Sequence, residues 1–330
     1  MSSATRPTPD REPTAGPGPD ADRSPLITAQ QLRTRLDDGL PPVLLDVRWT
    51  LAGAQRSDYL DAHLPGARFI DLDTELAEPH HQPVDERGRH PLPQPDRLQR
   101  ALRAAGVRTD SPVVVYDARN GLAAARAWWL LRWAGHPDVQ VLDGGLAAWT
   151  AAGGPTETGE PGPIEPGDVT VRGGQLPVAE LDEVIAVAEG AGTRPGAAAP
   201  AVLLDARAPE RYRGEREPMD PRPGHIPGAI NLPMADLIDS DGRMLPIPQL
   251  RQRFSAALTR AAGTDRGGAD SSETAPKLPL PIASCGSGIT ACHTVLAAEA
   301  AGIAMAMFPG SYSGWCATGR VVGTGEPQAG

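Results

Sequence analysis

The amino-acid sequence predicts an α/β fold built twice over: two tandem domains, each a mostly parallel sheet flanked by helices. Three observations carry this expectation. Short apolar runs alternate with helical stretches along most of the chain, and three segments occur in two copies. The chain's 330 residues also suffice for two cores of about 130–150 residues each.

The copies come first. Pro42-Val43-Leu44-Leu45-Asp46-Val47-Arg48 returns as Ala201-Val202-Leu203-Leu204-Asp205-Ala206-Arg207. Each is an apolar run ending in an acid, the pattern of a buried parallel strand. His63-Leu64-Pro65-Gly66-Ala67 returns as His225-Ile226-Pro227-Gly228-Ala229, and Asp143-Gly144-Gly145 before Trp149 returns as Pro309-Gly310-Ser311 before Trp315. The pairs lie 159, 162 and 166 positions apart, the drift left by a duplication with small insertions. Val113-Val114-Val115-Tyr116 reads as a strand. Ala123 to Ala134, dense in Trp128, Trp129, Leu131 and Trp133, reads as a helix with Ala291 to Ala301 as its counterpart. Residues 1–24 lack the apolar content to offset ordering entropy and read as a disordered tail. A first domain then spans 25–150, a linker 151–172 (rich in Pro, Gly and Glu through 167) and a second domain 173–330, with small-residue loops at 191–200 and 261–276.

Composition narrows the function classes. A formal net charge of −10 disfavours nucleic acid and anionic membrane as partners. No stretch is long and apolar enough to cross a bilayer, and the start of the chain lacks a basic-then-apolar leader. Three cysteines cannot pair fully, which points to a reducing compartment, the cytoplasm, and to at least one free thiol. No Cys-x-x-Cys pair occurs, so neither a zinc site nor a thioredoxin-like redox motif is expected, and no metal or organic cofactor is implied.

In parallel α/β sheets the functional loops follow the carboxyl ends of strands. That rule selects two loops. One is Ser284-Cys285-Gly286-Ser287-Gly288-Ile289-Thr290-Ala291, where a cysteine at a strand end is followed by glycines and then by a helix. Glycines let successive backbone N–H groups curl around one anion, and the helix start adds partial positive charge. Both favour a nucleophilic thiolate. Ser287 also suits the N-cap of that helix. The other loop, Asp117-Ala118-Arg119-Asn120-Gly121, has Asp117 or Ala118 where the cysteine would fall, so the first half cannot do the same covalent chemistry. A cysteine phosphatase would need arginine six residues after the cysteine; Ala291 stands there. His63 and His225 recur in both halves and read as structural. Cys292 reads as core, and Cys316 as partly exposed.

The duplicated His-x-Pro-Gly-Ala and Gly-Gly…Trp segments, with the Cys-Gly-Ser-Gly-Ile-Thr-Ala loop, resemble the tandem rhodanese sulfurtransferase family, which includes thiosulfate and 3-mercaptopyruvate sulfurtransferases. The resemblance covers about residues 25–320. It implies two rhodanese domains with catalysis in the second, and a Cys285 persulfide that carries sulfur from a small donor to an acceptor. Acceptors of the family include thioredoxin, a low-molecular-weight thiol and cyanide. Gly286 and Ser287 stand where thiosulfate-preferring members carry cations, which implies 3-mercaptopyruvate as donor; thiosulfate:cyanide transfer and a non-enzymatic persulfide carrier are the alternatives. The substrate would be held by the loop (Gly286, Gly288, Ile289, Thr290), by Arg211, and by a second arginine for which Arg216 and Arg222 are candidates. Asp73 and His90 would form a proton relay with Ser287.

Overall fold

Strands form where β-branched and aliphatic residues run together, and in this chain they do so in matched sets. The protein is described by a computed structural model over residues 24–79, 83–190, 201–262 and 279–326. The predicted tail up to residue 23 and the loops at 191–200 and from 263 lie outside the described residues. The first half runs β1 (Leu26–Ile27), α1 (Ala29–Asp37), β2 (Val43–Asp46), the hairpin β3 (Trp49–Thr50) and β4 (Gly53–Ala54), α2 (Arg56–Asp61), β5 (Arg68–Phe69), α3 (Leu72–Glu75), α4 (Pro95–Ala104), β6 (Val113–Tyr116), α5 (Leu122–Trp133), β7 (Val139–Leu142) and α6 (Gly145–Ala151). The second runs α7 (Leu181–Ala188), β8 (Leu203–Asp205), α8 (Pro209–Tyr212), β9 (Ile230–Asn231), α9 (Ile247–Ala262), β10 (Ile282–Ser284), α10 (Ile289–Ala300), β11 (Ala306–Met307) and α11 (Ser311–Ala317).

The first sheet has the order β1-β7-β6-β2-β5 and the second β11-β10-β8-β9, every neighbour parallel. A parallel bridge from Val178 to Met307 stands in the second sheet where β1 pairs with β7 in the first. The duplication read from the sequence is thus a duplication of strand order. Its histidines match as well. The ring of His63 stacks on Tyr59 at 4.2 Å with Nδ1 2.8 Å from the Tyr59 carbonyl. His225 does the same with Tyr212 at 3.9 Å and 2.8 Å. Both histidines serve packing.

The two halves are joined by their equivalent helices. α5 buries every residue from Ala123 to Leu131, and α10 every residue from Ala291 to Ala298. A helix apolar all round must be covered on all sides, and each of these lies against its own sheet and against the other helix. Small residues at Ala123, Ala124, Ala127, Ala291 and Ala297 allow close approach, and one hydrophobic core runs through both halves. The segment 151–172, which composition reads as a linker, is no free tether. Glu157 exchanges backbone hydrogen bonds with His63, Gly167 donates to Arg103, and Arg172 donates to Ala134. These backbone groups are satisfied by the first half, which offsets part of the entropy that composition alone leaves uncovered. Among the described residues, no helix is long and apolar enough to cross a membrane.

One buried group between the halves makes stability depend on pH. His293 on α10 is 1 % exposed, its Nδ1 has no partner among the described residues, and burial pushes its pKa down to about 4. The unfolded chain, with an ordinary histidine near 6.5, binds more protons between those values, so stability is complete above pH 6.5 and falls as pH drops toward 4. The loss from this residue reaches about 3 kcal/mol. His293→Gln should flatten the acid side of the stability curve by up to that amount, measured as the difference between urea unfolding free energies at pH 7 and pH 4.5 in the two proteins.

Candidate active site

β10 ends at Ser284 and delivers Cys285 to the start of α10. The turn between them depends on Gly288, the helix N-cap, at φ 84°. A Cβ there would lie 2.7 Å from the Pro309 carbonyl oxygen, so glycine is required by both conformation and space. Its N–H donates to Cys285 Sγ at 3.1 Å. The Cys285 N–H donates to Ser311 Oγ at 3.1 Å, and the same hydroxyl lies 3.8 Å from Sγ. Ser311 has φ 50° and is the only non-glycine residue with positive φ among the described residues. Its counterpart in the first half is Gly145, at φ 56°. The second half therefore accepts backbone strain to place a hydroxyl under the cysteine.

Ser287 does not cap the helix, since Gly288 holds that position. Its hydroxyl instead lies 2.8 Å from Nδ1 of His90, which comes from the first half. His90 Nε2 is 3.4 Å from Asp73 Oδ1, and that oxygen also accepts from Trp49 Nε1 at 2.8 Å. The Trp49 indole meets the imidazole edge-on at 5.5 Å. Burial pushes the His90 pKa below the ordinary histidine value against the pull of Asp73. The hydrogen bond from His90, with that from Trp49, holds the Asp73 carboxyl below its usual range. A neutral His90 with its proton on Nε2 toward Asp73 leaves Nδ1 as acceptor for the Ser287 hydroxyl. The structure thus joins Asp73, His90 and Ser287 in one chain beside Cys285.

Arginines enclose the other side. A Cβ on Gly286 would lie 3.2 Å from Arg89 Nη2 and 3.5 Å from Arg211 Nη1. Arg211 pairs through Nη2 with Glu217 at 2.6 Å and Asp220 at 3.3 Å, and Arg89 pairs with Asp220. Arg222 does not join them: its guanidinium donates to the carbonyls of Cys316, at 2.9 Å, and Gly319, at 3.4 Å. Arg216 is exposed. Ile289 is buried and Thr290 half-buried at the start of α10. Cys292 donates to the Gly288 carbonyl at 3.2 Å and burial pushes its thiol up to about 12. Cys316, expected to be partly exposed, is buried against Tyr312 and Trp315 in the smaller core of the second half.

Three residues at the site were not anticipated. Arg89 adjoins His90, but the acid that holds it is far away in sequence. Arg126 is the one charged residue among the apolar ones of α5 from Leu122 to Leu131, which is the signal that could have found it. Fully buried, it donates to the carbonyls of Gly288 at 3.3 Å, His90 at 3.1 Å and Pro91 at 3.3 Å, tying the cysteine loop to the His90 segment. Ser311 is marked by serine standing where the first copy has glycine.

The first half's loop is the same cradle filled from within. Leu146 N–H donates to the Asp117 carbonyl at 2.9 Å as Tyr312 N–H does to Cys285, which makes Asp117 the positional equivalent of the cysteine. Its carboxylate accepts from the N–H groups of Arg119, Gly121 and Ala123, each at 3.0 Å, and of Ala124 at 3.4 Å. Burial pushes its pKa up and these amides pull it back. A turn of this shape, opening a helix, can hold an anion.

Comparison with known proteins identifies the family. The family model described as rhodanese-like domain matches residues 28–152 and again 194–318. The chain is 45 % identical over 307 residues to a probable 3-mercaptopyruvate sulfurtransferase of Pseudomonas aeruginosa, covering 91 % of this chain and 98 % of that protein. It is 42 % identical over 291 residues to a putative thiosulfate sulfurtransferase of Mycobacterium tuberculosis, covering 88 % and 93 %. Its structure is similar to that of a 3-mercaptopyruvate sulfotransferase from Escherichia coli, with a TM-score of 0.69, 28 % identity and coverage of 88 % of this chain and 100 % of the other. The chain belongs to the rhodanese-like domain family.

The strain at Ser311 has a measurable sign. Ser311→Ala keeps the unfavourable φ and removes the acceptor for the Cys285 N–H, a loss of about 1–3 kcal/mol. Ser311→Gly loses the same bond and relieves the backbone by about 1–2 kcal/mol. The glycine variant should therefore melt at a higher temperature than the alanine variant, the reverse of their order at an ordinary helical position.

Proposed function

From membership of the rhodanese-like family as the premise, we propose that this chain is a sulfurtransferase that moves sulfur from 3-mercaptopyruvate to a thiol acceptor through a persulfide on Cys285. The observation that carries the reading is the cross-domain chain Asp73–His90–Ser287 set beside Cys285, which bonds to the Gly288 N–H.

The Cys285 sulfur attacks the sulfur of the donor. An S–S bond forms as the C–S bond breaks, and the electron pair leaves with the three-carbon fragment as the enolate of pyruvate. The donor's thiol proton ends on that fragment, giving pyruvate and leaving Cys285 as the persulfide anion. Ser287 and the neutral His90 behind it are placed to pass this proton, with Asp73 orienting the imidazole. In the second step a small thiol, thioredoxin or cyanide attacks the outer sulfur, and the Cys285 thiolate is restored. Gly286, Gly288, Ile289 and Thr290 shape the cradle, and Arg211 binds the donor carboxylate. Arg222, tied to carbonyls of the last helix and the residues after it, drops out of that role.

Mercaptopyruvate is favoured over thiosulfate on charge. The two guanidiniums beside Gly286 are already matched by Glu217 and Asp220, so the mouth suits a monocarboxylate better than a compact dianion. Thiosulfate:cyanide transfer is the second reading, favoured by the name of the mycobacterial relative. Three free cysteines fit a reducing compartment such as the cytoplasm.

Pyruvate release from 3-mercaptopyruvate, with one added sulfur mapped to Cys285 by mass spectrometry, should be seen in the native chain and abolished by Cys285→Ser. No pyruvate, or sulfur found only on Cys292 or Cys316, would defeat the reading. The His90 pKa lies below 6.5, so kcat/KM should be level near neutrality and fall on acidification through that lowered value, where His90 gains a proton and stops accepting. His90→Ala should lower the plateau by about 10²–10⁴-fold and remove this acid limb.

A further inference from the structure

We infer that Arg89, a residue of the non-catalytic half, is the second guanidinium that grips the donor's anionic group, with Asp220 as the residue that positions it. The inference rests on Cys285 being the nucleophile.

Each of the two arginines at the cleft is divided in the same way. Arg89 spends Nη1 on Asp220 and turns Nη2 toward Gly286. Arg211 spends Nε and Nη2 on Glu217 and Asp220 and leaves Nη1, 3.5 Å from where a Gly286 Cβ would stand, with Nη2 at 3.6 Å. Neither inward nitrogen makes a hydrogen bond among the described residues. Both converge on one point beside the residue that follows the nucleophile. Asp220 lies between them with a side chain 1 % exposed, one oxygen on each arginine. A carboxylate that bridges two guanidiniums from behind aims their other N–H groups forward. Two forks aimed at one point are the donor set that binds an oxyanion in two places.

The rest of Arg89 is fixed as firmly. Its N–H donates to Ser313 Oγ at 3.1 Å, and the Ser313 N–H donates to the Gly286 carbonyl at 2.9 Å, so one serine holds both Arg89 and the cysteine loop. Gly88, at φ 83°, lets the chain pass so close to α11 that a Cβ would sit 2.5 Å from the Gly310 carbonyl oxygen. The side chains of Arg89 and Arg211 are 15 % and 19 % exposed, reachable from the cleft yet partly desolvated. Charge-assisted contacts count for most in such a place. The half without the nucleophile thereby takes part in reading the donor's charge as well as in moving its proton.

The test uses two alkylating agents of nearly equal size, iodoacetate and neutral iodoacetamide. Their rates at Cys285 are followed by peptide mapping in the full chain. Arg89→Ala should slow iodoacetate about tenfold or more, the loss of one charge-assisted bond of about 1.5–3 kcal/mol, and leave the iodoacetamide rate within about twofold. Arg87→Ala, at an exposed residue that pairs with Asp85, should change neither. An unchanged iodoacetate-to-iodoacetamide ratio in Arg89→Ala overturns the inference. Should both rates fall together, Arg89→Gln decides: it keeps a donor for Asp220 and must still lose the preference for iodoacetate, and a retained preference overturns the inference. The two readings fail separately. An Arg89-dependent ratio without pyruvate release defeats only the sulfurtransferase assignment, and normal pyruvate release with an Arg89-independent ratio defeats only this one.

Discussion

The packing of α5 against α10 is the contact on which the site depends. Each helix begins at a functional loop, and each is too apolar to face water on any side. Bringing the two together buries Ala123 to Leu131 and Ala291 to Ala298, with each large aliphatic or aromatic side chain contributing about 1.5–3 kcal/mol. It also sets the cysteine loop beside the segment from Glu86 to His90, which no local interaction in either half would do. Arg126 then fastens the arrangement. Its charge is accepted by carbonyls of the His90 segment and of Gly288, so it cannot be withdrawn without leaving several buried acceptors unpaired. An active site shared between two domains is rigid here because the domains share a core.

The two halves share one strand order, and three differences mark the loops where their chemistry parts. Where the second half has Cys285, the first has Asp117; where the second has Ser311, the first has Gly145; and the first loop is one residue longer. The turn that opens the following helix is built alike in both. In both, a left-handed glycine caps the following helix, and in both that glycine's N–H donates to the side chain at the end of the preceding strand, at 3.0 Å in the first half and 3.1 Å in the second. The two loops therefore share one capping geometry and differ in the side chain it surrounds.

Much of this was legible in the amino-acid order because duplication displays it. Segments present twice mark what both domains need, and Cys285 stands out as what only one has. The strand at Val113–Tyr116 was found to the residue, and the helices after the two loops to within two. What escaped shares one physical cause. Arg89 is held by Asp220, 131 positions away, and no periodicity encodes a cross-domain ion pair. Ser287 read both as an N-cap and, through the family resemblance, as the relay partner of His90; only the cap reading failed, because Gly288 is better suited to the left-handed turn. The linker looked unable to order itself, and by itself it could not: its partners are backbone groups of the first half, invisible to composition.

Asp117 gives the first half a further meaning. A cradle that carries its own carboxylate is filled by a group that cannot diffuse away. The second cradle holds only a sulfur, with hydroxyls and guanidiniums at its rim. The molecule thus holds one turn in two conditions, closed in the first half on a carboxylate of its own chain and in the second on a sulfur that can carry another.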